Sequence, residues 1–128
     1  MKLLDTNVII RFLVKDDQAL ATKAKVILEN SPAHSLELTL AVFLEISFVL
    51  SSFYELPKAE VIRDLALLIS LPSINCNRSF LSSLLETYES NSISMVDAYL
   101  MTRIRLGKNH KIVTFDKKLK KLSQEIFS

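Results

Sequence analysis

The sequence predicts a three-layer α/β fold in which a mainly parallel sheet is flanked by helices. Short apolar segments that suit buried strands alternate along the chain with longer segments whose apolar residues recur at helical spacing. This alternation is typical of parallel sheets, because each strand needs a crossover helix before the next strand can pair with it. With 128 residues the chain can bury a substantial core, and we expect a single domain over residues 1–128.

Four segments are predicted to form strands. The first is the apolar run that ends at Leu4, and the second is residues 35–39, where polar and apolar side chains alternate. Residues 73–77 are a weak third candidate, and residues 111–115 are the fourth. The stub at Ile126 and Phe127 is the remaining candidate, so we expect a sheet of four or five strands.

Seven segments are predicted to form helices, and several have suitable residues at their ends. Thr39 and Ser94 can cap the helices that follow them, because their hydroxyl oxygens can accept a backbone N–H of the first turn. Gly107, the only glycine, follows the sixth helix, where we expect it to adopt positive φ. The predicted helices cover residues 8–13, 18–29, 40–53, 57–71, 78–90, 95–106 and 117–122.

The distribution of charge is more informative than its total. The composition, 49% apolar and 23% charged, is typical of soluble globular proteins, and a net charge of +2 is too small to indicate nucleic-acid binding. Cations nevertheless crowd near the C-terminus, with Asp116 as the only acid among them. They form either a surface that attracts a polyanion or an ordinary solvated helix face. These cations are Arg103, Arg105, Lys108, Lys111, Lys117, Lys118, Lys120 and Lys121.

The single cysteine and the apolar segments indicate the cellular compartment. Cys76 alone excludes an internal disulfide and a thiol-rich metal site, which fits a reducing cytoplasm. Near the N-terminus, Asp5 and Arg11 interrupt the apolar run, so no signal peptide is predicted. Residues 38–54 are too short to cross a membrane and carry Glu45 near their middle. We therefore expect a cytoplasmic protein without a membrane span.

Four acids lie in settings that distinguish them from solvated surface carboxylates. Asp5 and Asp116 each follow a predicted strand, at the edge of an open α/β sheet where ligands bind. Glu45 lies in the most apolar helix, where we expect it to be buried and hence neutral, paired or bound to a cation. Asp97 lies near the N-terminus of its helix, where the helix dipole favours negative charge.

Each acid also has a structural explanation. Asp5 and Asp116 can cap the helices that follow them, and Asp97 suits the first turn of a helix. Glu45 can pair with a basic residue such as Arg11. The combination is harder to explain in this way, because two carboxylates about 5 Å apart repel by roughly 3 kcal/mol at an effective dielectric near 20. Four carboxylates in one cleft would therefore need a cation.

Four short stretches carry a resemblance to a known family. They are Leu4-Asp5-Thr6-Asn7-Val8-Ile9, Leu44-Glu45-Ile46, Val96-Asp97-Ala98 and Val113-Thr114-Phe115-Asp116. With these motifs the chain resembles the PIN-domain ribonucleases, and its length and layout are similar to those of VapC-type toxins of toxin–antitoxin pairs. The resemblance covers essentially the whole chain. Its opening motif and its closing Thr-x-Asp are fairly specific together, whereas one acid within a helix is a weak signal.

The resemblance implies a metal-dependent endoribonuclease that leaves a 5′-phosphate. The implied ion is Mg²⁺ or Mn²⁺, held by Asp5 and Asp97 as principal ligands with Glu45 and Asp116 as further ligands. Oxygen ligands without accompanying His or Cys also favour such hard cations. A bound ion can lower the pKa of its water and neutralise charge on a phosphate.

The same resemblance suggests supporting residues around the acids. Side chains that orient the carboxylates would be Thr6, Asn7 and Thr114, whereas helix capping is the preferred role of Ser94. The RNA backbone would be held by basic residues of the C-terminal part together with Arg11, for which a structural ion pair is the alternative. The candidates for this contact are Arg11, Arg103, Lys117 and Lys118.

Partner proteins are also implied. As in the resembling family, we expect an antitoxin to cover the cleft and two copies of the chain to form a homodimer. Apolar residues of the third and fourth helices are numerous enough to form the dimer interface, although they also suit an ordinary core. These residues are Val49, Leu50, Phe53, Tyr54, Val61, Ile62, Leu65 and Leu68.

Two rival functions come from other classes. A non-catalytic RNA- or protein-binding module would keep the fold without turnover. A phosphotransferase of the haloacid dehalogenase type also begins with an acid at the end of a strand, but it needs a second Asp two residues later. Asn7 occupies that position, so this alternative is poor.

Overall fold

The structure is a computed structural model that describes residues 1–107 and 110–126. It divides into two compact units, the first over Met1–Leu81 and the second from Ser82 onwards. Over these described ranges the secondary structure comprises seven α-helices, one π-helical segment and three short strands. No helix among them is both long enough and apolar enough to span a lipid bilayer.

The first unit contains a small parallel sheet. Its strands are β1 (Lys2–Leu3), β2 (Leu36–Glu37) and β3 (Ile74–Asn75), in the order β1-β2-β3. The register places Lys2 opposite Leu36 in one pair and Leu36 opposite Ile74 in the other. Because both pairs are parallel, the carboxyl ends of all three strands lie at one edge.

Helices supply most of the core of the first unit. Its helices are α1 (Thr6–Val14), α2 (Gln18–Asn30), α3 (Leu40–Phe48), the π-helical segment Val49–Phe53 and α4 (Lys58–Ser70). The helix α1 packs against both α2 and α3. The core consists of fully buried apolar side chains, among them Ile9, Leu28, Phe43, Ile46, Leu50, Val61, Leu65, Leu68 and Ile74.

Local capping explains where several of these helices begin. The Oγ1 atom of Thr39 accepts the backbone N–H of Val42 at 3.2 Å, as predicted for the start of α3. The carboxylate of Asp17 accepts the N–H of Leu20 at 3.1 Å and caps α2 in the same way. The predicted helix 40–53 is therefore present, but its last turn is wound as the π-helix after Phe48.

The second unit is built on helix packing. The helix α5 (Arg78–Ser90) starts in the first unit, and α6 (Met95–Leu106) and α7 (Lys117–Ile126) follow it. Within the second unit, the hydroxyls of Thr87 and Thr102 lie 3.1 Å apart and join α5 to α6. The core between α6 and α7 contains Met101, Ile104 and Leu119, packed against Ile93, Ile112, Leu122 and Ile126.

The predicted strand over residues 111–115 is wrong. Residues 110–116 have no regular secondary structure, and the side chains of Val113 and Phe115 are fully exposed. A run of β-branched and aromatic residues shows that a segment can form a strand, but a strand also needs a neighbour with which to pair. The expected four or five strands are therefore reduced to three in the described part of the chain. At the C-terminus Ile126 ends α7, and Phe127 lies outside the described residues.

Gly107 is required by close packing and not by its backbone angles. Its φ is −90° and its ψ is 147°, so the predicted positive φ is wrong. A Cβ atom at this position would overlap Nδ1 of His110 and would lie 2.7 Å from the carbonyl oxygen of Arg103. The end of α6 and the segment after it therefore approach each other at a point where only glycine fits without a shift.

Candidate functional site

Asp5 lies at the carboxyl end of β1 with an exposed carboxylate. It occupies the N-cap position of α1, with φ −91° and ψ 150°, yet its side chain makes no capping hydrogen bond. The capping alternative therefore holds for the position of Asp5, but its carboxylate accepts no backbone N–H of the first turn. Its oxygens project from the strand edge where ligands bind in open α/β sheets.

Thr6 connects this strand edge to Glu45 on α3. Its Oγ1 donates a hydrogen bond of 2.6 Å to Oε2 of Glu45, which is 39 positions away in the sequence. The Thr6 side chain is buried, whereas Glu45 is exposed. A short bond from a hydroxyl to a carboxylate is typical of a charge-assisted hydrogen bond. It brings the Glu45 carboxylate next to the residue that follows Asp5.

The expectation that Glu45 is buried is wrong. On α3 the buried side chains are Phe43, Ile46 and Ser47, while Glu45 lies on a side that is open to solvent. The expected alternative partner, Arg11, instead forms an exposed ion pair with Asp16, with Nη1 and Oδ1 3.2 Å apart. Burial therefore does not force Glu45 to take a cation, and its orientation comes from Thr6.

In the second unit, Asp97 and Asp116 both lie at helix N-termini. Asp97 is half-buried in the first turn of α6, and its backbone N–H donates to Oγ of Ser94 at 3.1 Å, so Ser94 is the predicted cap. Asp116 accepts the N–H of Leu119 on Oδ1 at 3.1 Å and thereby caps α7. One carboxylate oxygen of Asp116 is thus engaged in the cap.

A lysine joins the two helix ends that carry these acids. Lys118, in the first turn of α7, donates from Nζ to the carbonyl oxygen of Ser92 at 2.6 Å. Ser92 lies just before the cap of α6. The N-terminus of α7 is therefore tied to the segment that leads into α6, and this contact engages a lysine that the sequence suggested for RNA binding.

The four predicted acids are divided equally between the two units. Asp5 and Glu45 belong to the first unit, and Asp97 and Asp116 to the second. Within the described residues of either unit, no three His, Cys, Asp or Glu side chains form a group that could hold a metal ion. Burial raises the pKa of the Cys76 thiol, although Arg78 partly offsets this effect.

The other predicted site residues have varied surroundings. Asn7 and Arg11 line a cavity of about 430 Å³ between α1 and α2, together with Lys23. The hydroxyl oxygen of Thr114 accepts the backbone N–H of Asp116 at 3.0 Å, so it contacts the main chain of that acid and not its carboxylate. Lys117 is exposed at the start of α7.

One cluster was missed by the sequence analysis. Arg103 was singled out for its charge alone, but its guanidinium lies between Tyr99 and His110. The sequence did contain a sign of the contact between Tyr99 and Arg103, because residues four positions apart share one face of a helix. The contribution of His110 had no local signal, because His110 lies beyond the end of α6.

Comparison with known protein families adds an independent observation. Residues 2–125 match the PIN domain family. The chain belongs to the PIN domain family. The match spans both units and all four acids, and the parallel α/β architecture agrees with a PIN-like fold. No match was found among curated proteins or among solved structures.

Membership in the PIN domain family gives a coarse functional assignment. PIN domains are commonly nucleases, so the family match supports a hydrolase that acts on nucleic acid. It likewise supports nucleic acid as the binding partner.

Proposed function

We propose that this PIN domain is an endoribonuclease that depends on Mg²⁺ or Mn²⁺ and hydrolyses RNA phosphodiester bonds, with residues 1–128 acting as one domain. The observation that carries the proposal is the hydrogen bond from Thr6 to Glu45. This bond holds a carboxylate next to the residue that follows Asp5, and the Asp5 carboxylate itself makes no capping hydrogen bond. Membership in the PIN domain family supports nucleic acid as the substrate.

The proposed metal ligands are Asp5 and Asp97, with Glu45 and Asp116 as further ligands, either direct or through water. The donors are all carboxylate oxygens, which suit Mg²⁺ and Mn²⁺ better than zinc. Asp5 makes no capping bond, and the Thr6 contact uses only one oxygen of Glu45. When bound, the ion supplies an activated water and neutralises charge on the phosphate.

The protein's own groups prepare this site in distinct ways. Thr6 holds Glu45 in one orientation, which lowers the cost of ordering that side chain. Asp97 lies in the first turn of α6, near the positive end of the helix dipole. The RNA backbone would be held by exposed cations, for which we propose Arg11, Arg103, Lys117 and Lys118.

We further propose that the protein is the toxin of a toxin–antitoxin pair, located in the cytoplasm, and that it forms a homodimer. Support for the dimer comes from apolar side chains that the fold leaves exposed, since Phe48 is 66% and Phe53 is 76% accessible. Several residues first considered for this interface, such as Leu65 and Leu68, are fully buried in the protein's own core. Sedimentation across micromolar dilution tests the dimer, which a strictly monomeric species would exclude.

The test of the enzymatic proposal is RNA cleavage with and without a divalent ion. We expect the purified protein to cut single-stranded RNA with Mn²⁺ or Mg²⁺ and to lose this activity in EDTA. Titration calorimetry with Mn²⁺ should show binding that requires Asp5. Cleavage at an equal rate in EDTA would refute the metal dependence. Absence of both metal binding and cleavage would favour the rival, a non-catalytic binding module.

A further inference from the structure

A small cationic cavity lies in the second unit, outside the acidic residues. Its volume is about 200 Å³, which is below the usual size of a pocket for a drug-sized ligand and suits a phosphate group or a single nucleotide moiety. It is lined by Tyr99, Leu100, Arg103, Ile104, His110, Lys111 and Ile112. Three of these side chains are basic and none is acidic, so the cavity favours an anion.

Arg103 is held in a defined position within this cavity. Its Nη1 donates to the hydroxyl oxygen of Tyr99 at 2.8 Å, and its Cζ lies 5.8 Å from the centroid of the same ring. Its Nη2 lies 3.5 Å from Nε2 of His110. Because a guanidinium has five N–H donors, further donors remain for a ligand after these contacts. A guanidinium ordered in advance binds an anion at a lower entropic cost.

The absence of a side chain at Gly107 leaves the space in which His110 lies beside Arg103. A Cβ atom on residue 107 would overlap the imidazole of His110, so a larger residue there would displace the ring. The glycine therefore contributes to the shape of the cavity. Lys111 follows His110 directly and adds a second permanent positive charge to the lining.

We propose that this cavity is a subsite for a phosphodiester group of single-stranded RNA, with Arg103 and Lys111 contacting the phosphate and His110 positioning Arg103. The apolar side chains of Leu100 and Ile112 provide a surface for the adjoining sugar. A planar guanidinium matches the oxygens of a phosphate and can bind two of them at once. The assignment of RNA rests on the proposed function, whereas the preference for a phosphate rests on the cavity itself.

The test is RNA binding without catalysis. Fluorescence anisotropy with a short labelled single-stranded RNA in EDTA gives Kd for the wild-type protein and for Arg103→Gln and Lys111→Gln. Lys25→Gln, which removes an exposed cation from α2, is the matched control. We expect each cavity variant to weaken binding about tenfold, the effect of losing one charged hydrogen bond. Each should also reduce the slope of log K against log salt by about 0.7.

Gly107→Ala provides a variant that changes the shape of the cavity and no charge. It should weaken binding by displacing His110 while leaving the salt slope nearly unchanged. Binding by Arg103→Gln and Lys111→Gln that equals binding by Lys25→Gln would overturn the proposal, provided that circular dichroism shows folded protein. If the cavity variants weaken RNA binding but the wild type never cuts RNA, the result supports the subsite and refutes the nuclease proposal. Normal cleavage together with unaltered binding by the cavity variants would refute the subsite alone.

Discussion

Thr6 and Glu45 are joined by a hydrogen bond of 2.6 Å between Oγ1 and Oε2, although they lie 39 positions apart. Thr6 opens α1 directly after the strand-end Asp5, and Glu45 lies on α3. The contact therefore fixes how α3 presents a carboxylate to the edge of the sheet. The proposed catalytic role of Glu45 depends on this orientation, because Glu45 is exposed and is not held by burial.

Replacing Thr6 by Val should show whether the hydrogen bond to Glu45 serves catalysis or the stability of the fold. Valine keeps the shape of the side chain but cannot donate to Glu45, so we expect cleavage to fall by about 10- to 100-fold. Water can replace the lost donor at the exposed carboxylate, so the free energy of unfolding should change by less than about 1 kcal/mol. Steady-state cleavage assays and urea denaturation measure the two effects. Thr6→Ser retains the hydroxyl and is the control, and equal activity of the Val and Ser variants would contradict the role of Thr6.

Replacing Asp5 by Asn should abolish most of the activity and leave the fold intact. Loss of a metal ligand costs several kcal/mol of transition-state stabilisation, which corresponds to a decrease of about 10²-fold or more. Because Asp5 makes no capping bond, the free energy of unfolding should change by no more than about 0.5 kcal/mol.

Asp17 offers a matched control for Asp5, since it caps α2 with its carboxylate. Asn caps a helix about as well as Asp, so Asp17→Asn should retain both activity and stability. The alanine variants should instead differ in their free energy of unfolding, with the larger loss at Asp17. Asp17→Ala should lose about 1 kcal/mol of stability, and Asp5→Ala should lose almost none. A large loss of stability in Asp5→Ala would show that Asp5 has a structural role after all.

Asp116 should show both a structural and a functional contribution. Its Oδ1 caps α7 through the N–H of Leu119. Asp116→Asn keeps the cap and removes the charge, so we expect reduced cleavage at unchanged stability. Asp116→Ala removes the cap as well as the charge, so it should also lower the free energy of unfolding by about 1 kcal/mol. Urea denaturation of both variants beside cleavage assays checks this, and full activity of Asp116→Asn would remove Asp116 from the proposed metal ligands.

Cys76 should react slowly with thiol reagents at neutral pH. Burial raises the pKa of this thiol above its ordinary value, and Arg78 only partly offsets the effect. Since the thiolate is the reactive form, the rate of modification should rise with pH over a higher range than for an unperturbed thiol. Modification by a disulfide reagent is measured from neutral to alkaline pH, with protein unfolded in urea as the reference. Equal rates at pH 8 for folded and unfolded protein would contradict the burial of Cys76.

Helix positions were largely predictable because their signals are local. The cap of α3 by Thr39 and the cap of α6 by Ser94 each join residues three positions apart, and both were expected from the sequence. The predicted bounds of α5 and α6 agree with the structure. The order of the four acids along the chain was also evident, and it carried the resemblance to the PIN domain that the family match confirms.

The errors concern residues whose state depends on distant neighbours. The apolar residues of segment 111–115 could not show whether another strand lies beside it, and Val113 is in fact fully exposed. The apolar neighbours of Glu45 suggested burial, but the direction in which its carboxylate points depends on how α3 packs. The need for Gly107 came from the position of His110 and not from the local backbone.

The sequence by itself determined most of the helices, the caps at Thr39 and Ser94, the family of the chain and which acids are candidates for the site. Only the tertiary structure decided that Glu45 is held by Thr6, that the Asp5 carboxylate makes no capping bond and that Arg103 lies between Tyr99 and His110. The physical reason is the range of the interactions involved. Caps and helical faces are set by residues within one or two turns, whereas the partner of an exposed side chain is set by which distant segments the packing brings beside it.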